Sequence, residues 1–212
     1  IRMLQKSLEF VEEKGYLGIV IGHEDHRAFF AGANMARILS LAQEGDWDEL
    51  ALAVRQFQKA SMSLRYSPFP VVVAPFGLTL GGGAEFTLHA DRVQTHAELY
   101  MGLVEAGVGL LPAGGGTKEM LLRFTQELAP YEEADPFEAV KRAFQPIAMA
   151  RTSTSALEAR KMGFLRDGDR ISMNRDFLIA DAKRRVLELA PDYRPPLPPR
   201  IRVLGSEALG NL

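Results

Sequence analysis

The sequence predicts an α/β domain. Two short apolar runs, "LGIVIG" opening at Leu17 and "VVVAPFG" opening at Val71, have the length and composition of buried strands, and patterns with helical apolar spacing flank both. The second half of the chain then turns mainly helical. With 212 residues, 47% of them hydrophobic and 25% charged, there is enough chain for one substantial core.

In chain order, Leu4, Leu8 and Val11 share one helical face, and Gly15 ends that helix before the first strand. A polar loop, "HEDHRAFFAGANM", leads to the long helical stretch "WDELALAVRQFQKASMSLRYS", with Leu50, Val54, Phe57 and Met62 among its apolar positions. Pro68 and Pro70 end it, and "VVVAPFG" follows as the second strand. Three glycines come next, then "AEFTLHA" as a short apolar helix with Glu85 in its first turn, then "RVQTHA", whose alternation predicts a third strand. From Gly107 a loop rich in Gly and Pro runs into a helix beginning near Thr117. "DPFEAVKRAFQPIAMA", "SALEARKMG" and "NRDFLIADAKRRVLELA" are further helices, with Gly163 as the stop of the middle one. Pro195, Pro196, Pro198 and Pro199 predict an extended, polyproline-like tail. The expected division is a core over 1–130, a helical region over 131–190 and a tail over 191–212.

Composition excludes several function classes. A net charge of −2 and a pI near 6.1 give no field that would gather nucleic acid or an anionic membrane surface. The absence of cysteine removes disulfides, thiolate nucleophiles and zinc–thiolate sites, and points to the cytoplasm. No apolar run reaches the ~18 residues of a membrane span, and the N-terminus lacks the apolar centre of a signal peptide. Ile1 stands where an initiator Met would, so the chain is expected to be a fragment of a longer polypeptide.

Motifs for other chemistries are missing too. No G-x-S-x-G nucleophile elbow occurs, no G-x-G-x-x-G follows a strand in the setting that dinucleotide binding needs, and "PAGGGTKEM" lacks the residue order of a phosphate loop. Glu85, His89, Asp91 and His96 do not have the order of a metal-binding helix, so no metal is expected. His23 and His26 read as loop or capping residues, and Arg65 with Tyr66 makes no platform for nucleotide bases.

Two glycine-containing turns and two acids suit the handling of an oxyanion and a proton, or else only the close packing of strand on helix, with Glu85 facing solvent and the second turn a tight apolar loop. "LGGGAEFTLHA" sets glycines at a helix start, where free N–H groups and the helix dipole favour negative charge and no side chain blocks a ligand. "FFAGANM" is a second turn of small residues, able to expose the N–H of Ala33, so the two turns together could supply converging donors. Glu105, between apolar Val104 and Ala106, is an acid expected to be buried, with the raised pKa that suits proton transfer.

These stretches, "FFAGANM", "PFGLTLGGGAE" and "GLVEAGVGLLPAGGGTKEM", in that order, resemble the crotonase or enoyl-CoA hydratase superfamily. Ala33 precedes Gly82 by 49 residues and Glu85 precedes Glu105 by 20, the latter matching the interval between the paired glutamates of family hydratases. "VRQFQ", "TLGGGAE", "TSTSALEARKMGFL" and "ISMN" are similar to one branch, the crotonase-like module at the C-terminal side of bacterial 3-hydroxyacyl-CoA dehydrogenases of fatty-acid oxidation.

The resemblance implies a spiral of β-β-α turns with a helical C-terminal region suited to trimer packing, and a chain lacking the family's initial strands. It implies 2-enoyl-CoA hydration, with double-bond isomerisation, or non-catalytic acyl-CoA binding for a fused dehydrogenase, as the alternatives. By the same resemblance Ala33 and Gly82 give the oxyanion hole, and Glu85 and Glu105 are the catalytic acid and base. Phe29, Phe30 and Ala31 line the way past the CoA, and Arg27 meets a CoA phosphate. The thioester is substrate, no cofactor belongs to this module, and NAD would belong to a separate domain. Asn34 stands where many family members have Asp.

Overall fold

The computed structural model describes residues 1–129, 135–199 and 203–211. Two all-parallel sheets organise it. The first has strand order β1-β3-β5-β7, built from β1 (Ile19–Ile21), β3 (Val71–Val73), β5 (Arg92–His96) and β7 (Arg170–Ser172). The second has order β2-β4-β6, from β2 (Ala28–Phe30), β4 (Gly77–Leu80) and β6 (Leu99–Gly102). Consecutive strands thus alternate between sheets, and each β-β-α turn stacks its two strands beside those of the turn before, the spiral that the resemblance implies.

Helices connect and cover these sheets. Helix α1 (Arg2–Lys14) ends at Gly15, whose φ of 66° lets the chain turn out of the helix, as the sequence predicts. Helices α2 (Met35–Glu44) and α3 (Trp47–Arg65) link β2 to β3, and α4 (Gly82–His89) links β4 to β5. Beyond β6 come a 3-10 turn (Glu105–Val108), α5 (Gly116–Leu128), α6 (Pro136–Ala148) and α7 (Ala156–Lys161). Helix α8 (Leu178–Leu189) follows β7, and a short α9 (Ser206–Leu209) lies in the C-terminal segment. The expected boundary between 130 and 131 falls outside the described residues. Among the described residues no helix is long and apolar enough to cross a membrane.

Two clusters form the core. Leu88, Val93, Leu99, Met101, Met120, Phe124 and Phe164 pack where α4, α5, α6 and α7 meet β5 and β6. Val72, Val73, Phe76, Leu178, Ala182 and Val186 join the first sheet to α8. The apolar face of α8 is therefore spent on the sheet.

The periodicity misses four strands and two helices, α2 and the short α9. Strands β2, β4 and β6 are three or four residues long, too short to show alternation, and β2 lies inside what reads as a polar loop. Strand β7 interrupts a region that reads as purely helical. It is held by pairing with β5 and by Asp169, whose carboxylate accepts the N–H groups of Val93 at 2.8 Å and Arg166 at 2.7 Å. Helix α2 starts on Asn34, whose side chain accepts the N–H of Arg37, and stops at Gly45 with φ 73°. Residues 193–199 of the tail form neither helix nor strand, but the 3-10 turn Ala190–Asp192 and α9 depart from a wholly extended tail over 191–212. The tail is anchored by Tyr193, whose hydroxyl meets Asp91 and donates to the Ser67 carbonyl at 3.1 Å.

Candidate active site

In open parallel sheets, ligands collect at the carboxyl ends of the strands. Here the three strands of the second sheet deliver the predicted residues to one such end. Phe30 of β2 lies beside Thr79 of β4, and Leu80 beside Gly102 of β6, so that Ala33, Gly82 and Glu105 each follow within three residues of a paired position. Glu85 is one helical turn beyond Gly82 on α4. Neither the Ala33 nor the Gly82 N–H has an acceptor among the described residues. Gly82 is the first residue of α4, where an N–H has no intrahelical partner.

The turn between β4 and α4 requires glycine. Gly81 has φ 53°, a conformation that strains other residues, and a Cβ there would stand 3.2 Å from a Glu105 carboxylate oxygen and 3.8 Å from the Gly32 Cα. The first small-residue turn, the glycine turn and Glu105 therefore meet at one point.

Glu85 is 4% exposed, and its Oε1 accepts the N–H of Gly116 at 2.9 Å. Burial pushes its carboxyl up to about 7; the Gly116 N–H works against that shift, and the negative charge of Glu105 adds to it. Glu105 is also raised by burial, partly offset by its own backbone N–H, and its Oε2 is buried without a hydrogen-bond partner. The Glu85 carboxyl faces an apolar wall. The Phe57 ring from α3 packs on Phe86 with centroids 4.5 Å apart, and a Cβ at Gly114 would stand 2.1 Å from that ring and 2.6 Å from Glu85 Oε2. Such a site keeps an acid close to neutral pH, as proton transfer to carbon requires.

The raised carboxyl has a stability consequence. Between its ordinary 4.5 and about 7, the folded chain holds a proton on Glu85 that the unfolded chain has released. Stability from this group therefore falls as pH rises through that window. Glu85→Gln, which does not titrate, is expected to melt close to wild type at pH 4 and to be more stable than wild type at pH 8, by on the order of 3 kcal/mol. Thermal unfolding at both pH values checks this; an unchanged difference between them would show that Glu85 has an ordinary proton affinity.

The remaining predicted residues divide. Phe30 stands against Gly83, where an added Cβ would lie 2.3 Å from the Phe30 Cβ, and meets Phe86 edge to face. Ala31 and Arg27 are exposed, and the Arg27 guanidinium has no partner among the described residues. Phe29 departs from expectation. Adjacent strand residues point to opposite faces, so its ring turns into the core against Phe76 and His23 and does not line an approach to the site. Asn34 is engaged in capping α2.

His89, Asp91 and His96 turn to separate partners, namely the Glu85 carbonyl, the Val71 N–H and the Glu98 N–H. Sequence reasoning overlooks Gly116 as the donor on Glu85, Phe57 as the wall and Glu119 beneath the site. Of these, only the glycine run after "LLPA" offers a signal.

Residues 1–132 match the family model described as "Enoyl-CoA hydratase/isomerase". A Bacillus subtilis protein named "Probable 3-hydroxyacyl-CoA dehydrogenase" is 44% identical over 213 residues, which covers 100% of this chain and 26% of the relative. Human mitochondrial methylglutaconyl-CoA hydratase is 30% identical over 121 residues, 57% of this chain and 34% of that protein. The crystal structure of an enoyl-CoA hydratase from Bacillus anthracis superposes with a TM-score of 0.70 at 23% identity, covering 88% of this chain and 64% of that one. The chain thus spans about a quarter to a third of these two curated relatives.

Proposed function

The chain belongs to the enoyl-CoA hydratase/isomerase family, and from that premise we propose that it adds water to 2-enoyl-CoA thioesters, giving 3-hydroxyacyl-CoA. The observation that carries the reading is a pair of carboxyls, buried Glu85 and half-buried Glu105 with its Oε2 out of solvent, set beside two N–H groups that have no acceptor among the described residues. The Ala33 and Gly82 N–H groups hold the thioester oxygen, which takes on negative charge as the reaction proceeds. One carboxylate accepts a proton from water as the oxygen bonds to C3. The other carboxyl gives a proton to C2, so that the double bond is consumed and no charge remains on the product. Isomerisation moves one proton between C2 and C4 and needs a single acid–base group; the second carboxyl, Glu105, favours hydration.

The CoA thioester is the substrate in this scheme, and the chemistry assigned to this module draws on no separate cofactor. The name of the Bacillus subtilis relative supports a larger polypeptide in which NAD serves a different domain. A cytoplasmic setting, packing as a trimer and a role in fatty-acid β-oxidation complete the proposal. Incubation with crotonyl-CoA tests it: loss of enoyl-thioester absorbance with formation of 3-hydroxybutyryl-CoA is expected. Conversion of a 3-enoyl thioester without any hydration would turn the assignment to isomerase. Calorimetry is expected to show binding of acyl-CoA and none of NAD.

A further inference from the structure

Below the active site lies a buried polar cluster that the proposed reaction does not use. His89 is four residues beyond Glu85 on α4, and Glu119 is three residues beyond Gly116 on α5, so both occupy the facing sides of their helices one turn deeper. Their side chains are fully buried or nearly so, at 0% and 1% exposure. The imidazole Nδ1 lies 2.7 Å from the Glu85 carbonyl oxygen, which can only accept, so Nδ1 carries the proton. Nε2 has no hydrogen-bond partner and lies 3.7 Å from Glu119 Oε1. The ring is wedged under the glycine turn: a Cβ on Gly115 would stand 2.8 Å from both its Cε1 and its Nε2.

Glu119 is tied down in turn. Lys118 donates to it at 2.6 Å and Arg65 of α3 lies at 3.8 Å. Burial pushes its carboxyl up, but His89 in its protonated form at low pH, Arg65 and Lys118 outweigh that and hold it below the usual range. Burial holds His89 at about 4, so its ring is neutral at pH 7.

We propose that His89 and Glu119 are positioning residues for Glu85: His89 props the Gly115–Gly116 turn, Glu119 fastens the start of α5 to α3, and together they keep the Gly116 N–H on the Glu85 carboxylate. The inference rests on the reading of Glu85 as a proton-transferring group. The charged and titratable groups around Glu85 and the pair are Glu105 from the turn after β6, which acts on Glu85, Lys118 and Arg123 of α5, Arg65 of α3, and Arg166 from the loop after α7. A carboxylate that loses an N–H donor becomes easier to protonate. Loosening either residue should therefore raise the pH at which Glu85 titrates.

The test is a carbon-13 NMR titration of the Glu85 carboxyl, with hydration kinetics on crotonyl-CoA alongside, for wild type, His89→Ala, His89→Gln and Glu119→Gln. His89→Ala and Glu119→Gln are expected to shift the titration upward by about one pH unit. Each should lower kcat about tenfold with KM nearly unchanged. His89→Gln, which can still donate to the Glu85 carbonyl, should lie nearer wild type.

Glu119→Gln separates positioning from simple charge. Removing a nearby anion acts through space to lower the Glu85 titration, whereas release of α5 raises it. A lowered or unmoved titration in Glu119→Gln, or an unmoved one in a folded His89→Ala, overturns the proposal. Because the titration needs no turnover, a shift in a protein that does not hydrate crotonyl-CoA would uphold the positioning role while rejecting the function proposed for the site.

Discussion

Glu85→Gln and Glu105→Gln are each expected to lower kcat for crotonyl-CoA hydration by ~10²–10⁴, with little change in acyl-CoA affinity. The amide keeps the size of the side chain, and at position 85 its oxygen can still accept the Gly116 N–H that Glu85 Oε1 accepts at 2.9 Å. What it loses is the ability to take up and return a proton. At position 105 the exchange leaves the fold alone, since Glu105 Oε2 already has no hydrogen-bond partner. The double variant should lose less than the product of the two single effects, because groups that act on one transition state are not additive. Steady-state kinetics with a calorimetric Kd for a saturated acyl-CoA checks all three. A silent Glu105→Gln in an enzyme that hydrates normally would remove the two-carboxyl mechanism and favour a single-acid one.

The second large effect concerns a backbone group. Gly82→Pro is expected to lower kcat by ~10²–10³ because it deletes an N–H aimed at the thioester oxygen. Position 82 suits this test. It is the first residue of α4, where proline is tolerated and no intrahelical bond is lost. Gly82→Ala keeps the N–H but adds a Cβ 2.9 Å from Phe57 Cζ, the far end of a side chain that can swing aside. Its loss should be within about tenfold if the ring yields, far less than removal of a donor. Melting temperatures of both variants control for folding. Equal, near-wild-type rates would take the oxyanion hole away from Gly82.

Much of the site is legible in the amino-acid sequence. The glycine run with Glu85, the turn holding Ala33 and the apolar surroundings of Glu105 are local features, and their spacing along the chain carries the family resemblance. Helix ends are legible for the same reason: Gly15, with φ 66°, and Gly163, with φ 83°, stop their helices through their own backbone freedom. Phe29 shows the limit. Its neighbour Phe30 lies at the site while its own ring enters the core, because strand geometry reverses direction at every residue. The strand that decides this, β2, is too short to announce itself.

The α/β class, the exclusion of thiol chemistry and the residue types at the candidate site all follow from the sequence, since they depend on composition and on contacts between near neighbours in the chain. Which groups meet is a matter of tertiary packing. Gly116 reaches Glu85 across 31 residues, Asp169 reaches the Val93 N–H across 76, and the Phe57 ring of α3 closes over Gly114 in the turn before α5. Such contacts depend on the register of parallel strands and on how α4 packs on α5. The same packing, by burying Glu85 beside Glu105, brings its carboxyl to about 7, because the cost of a buried charge depends on everything around it in space.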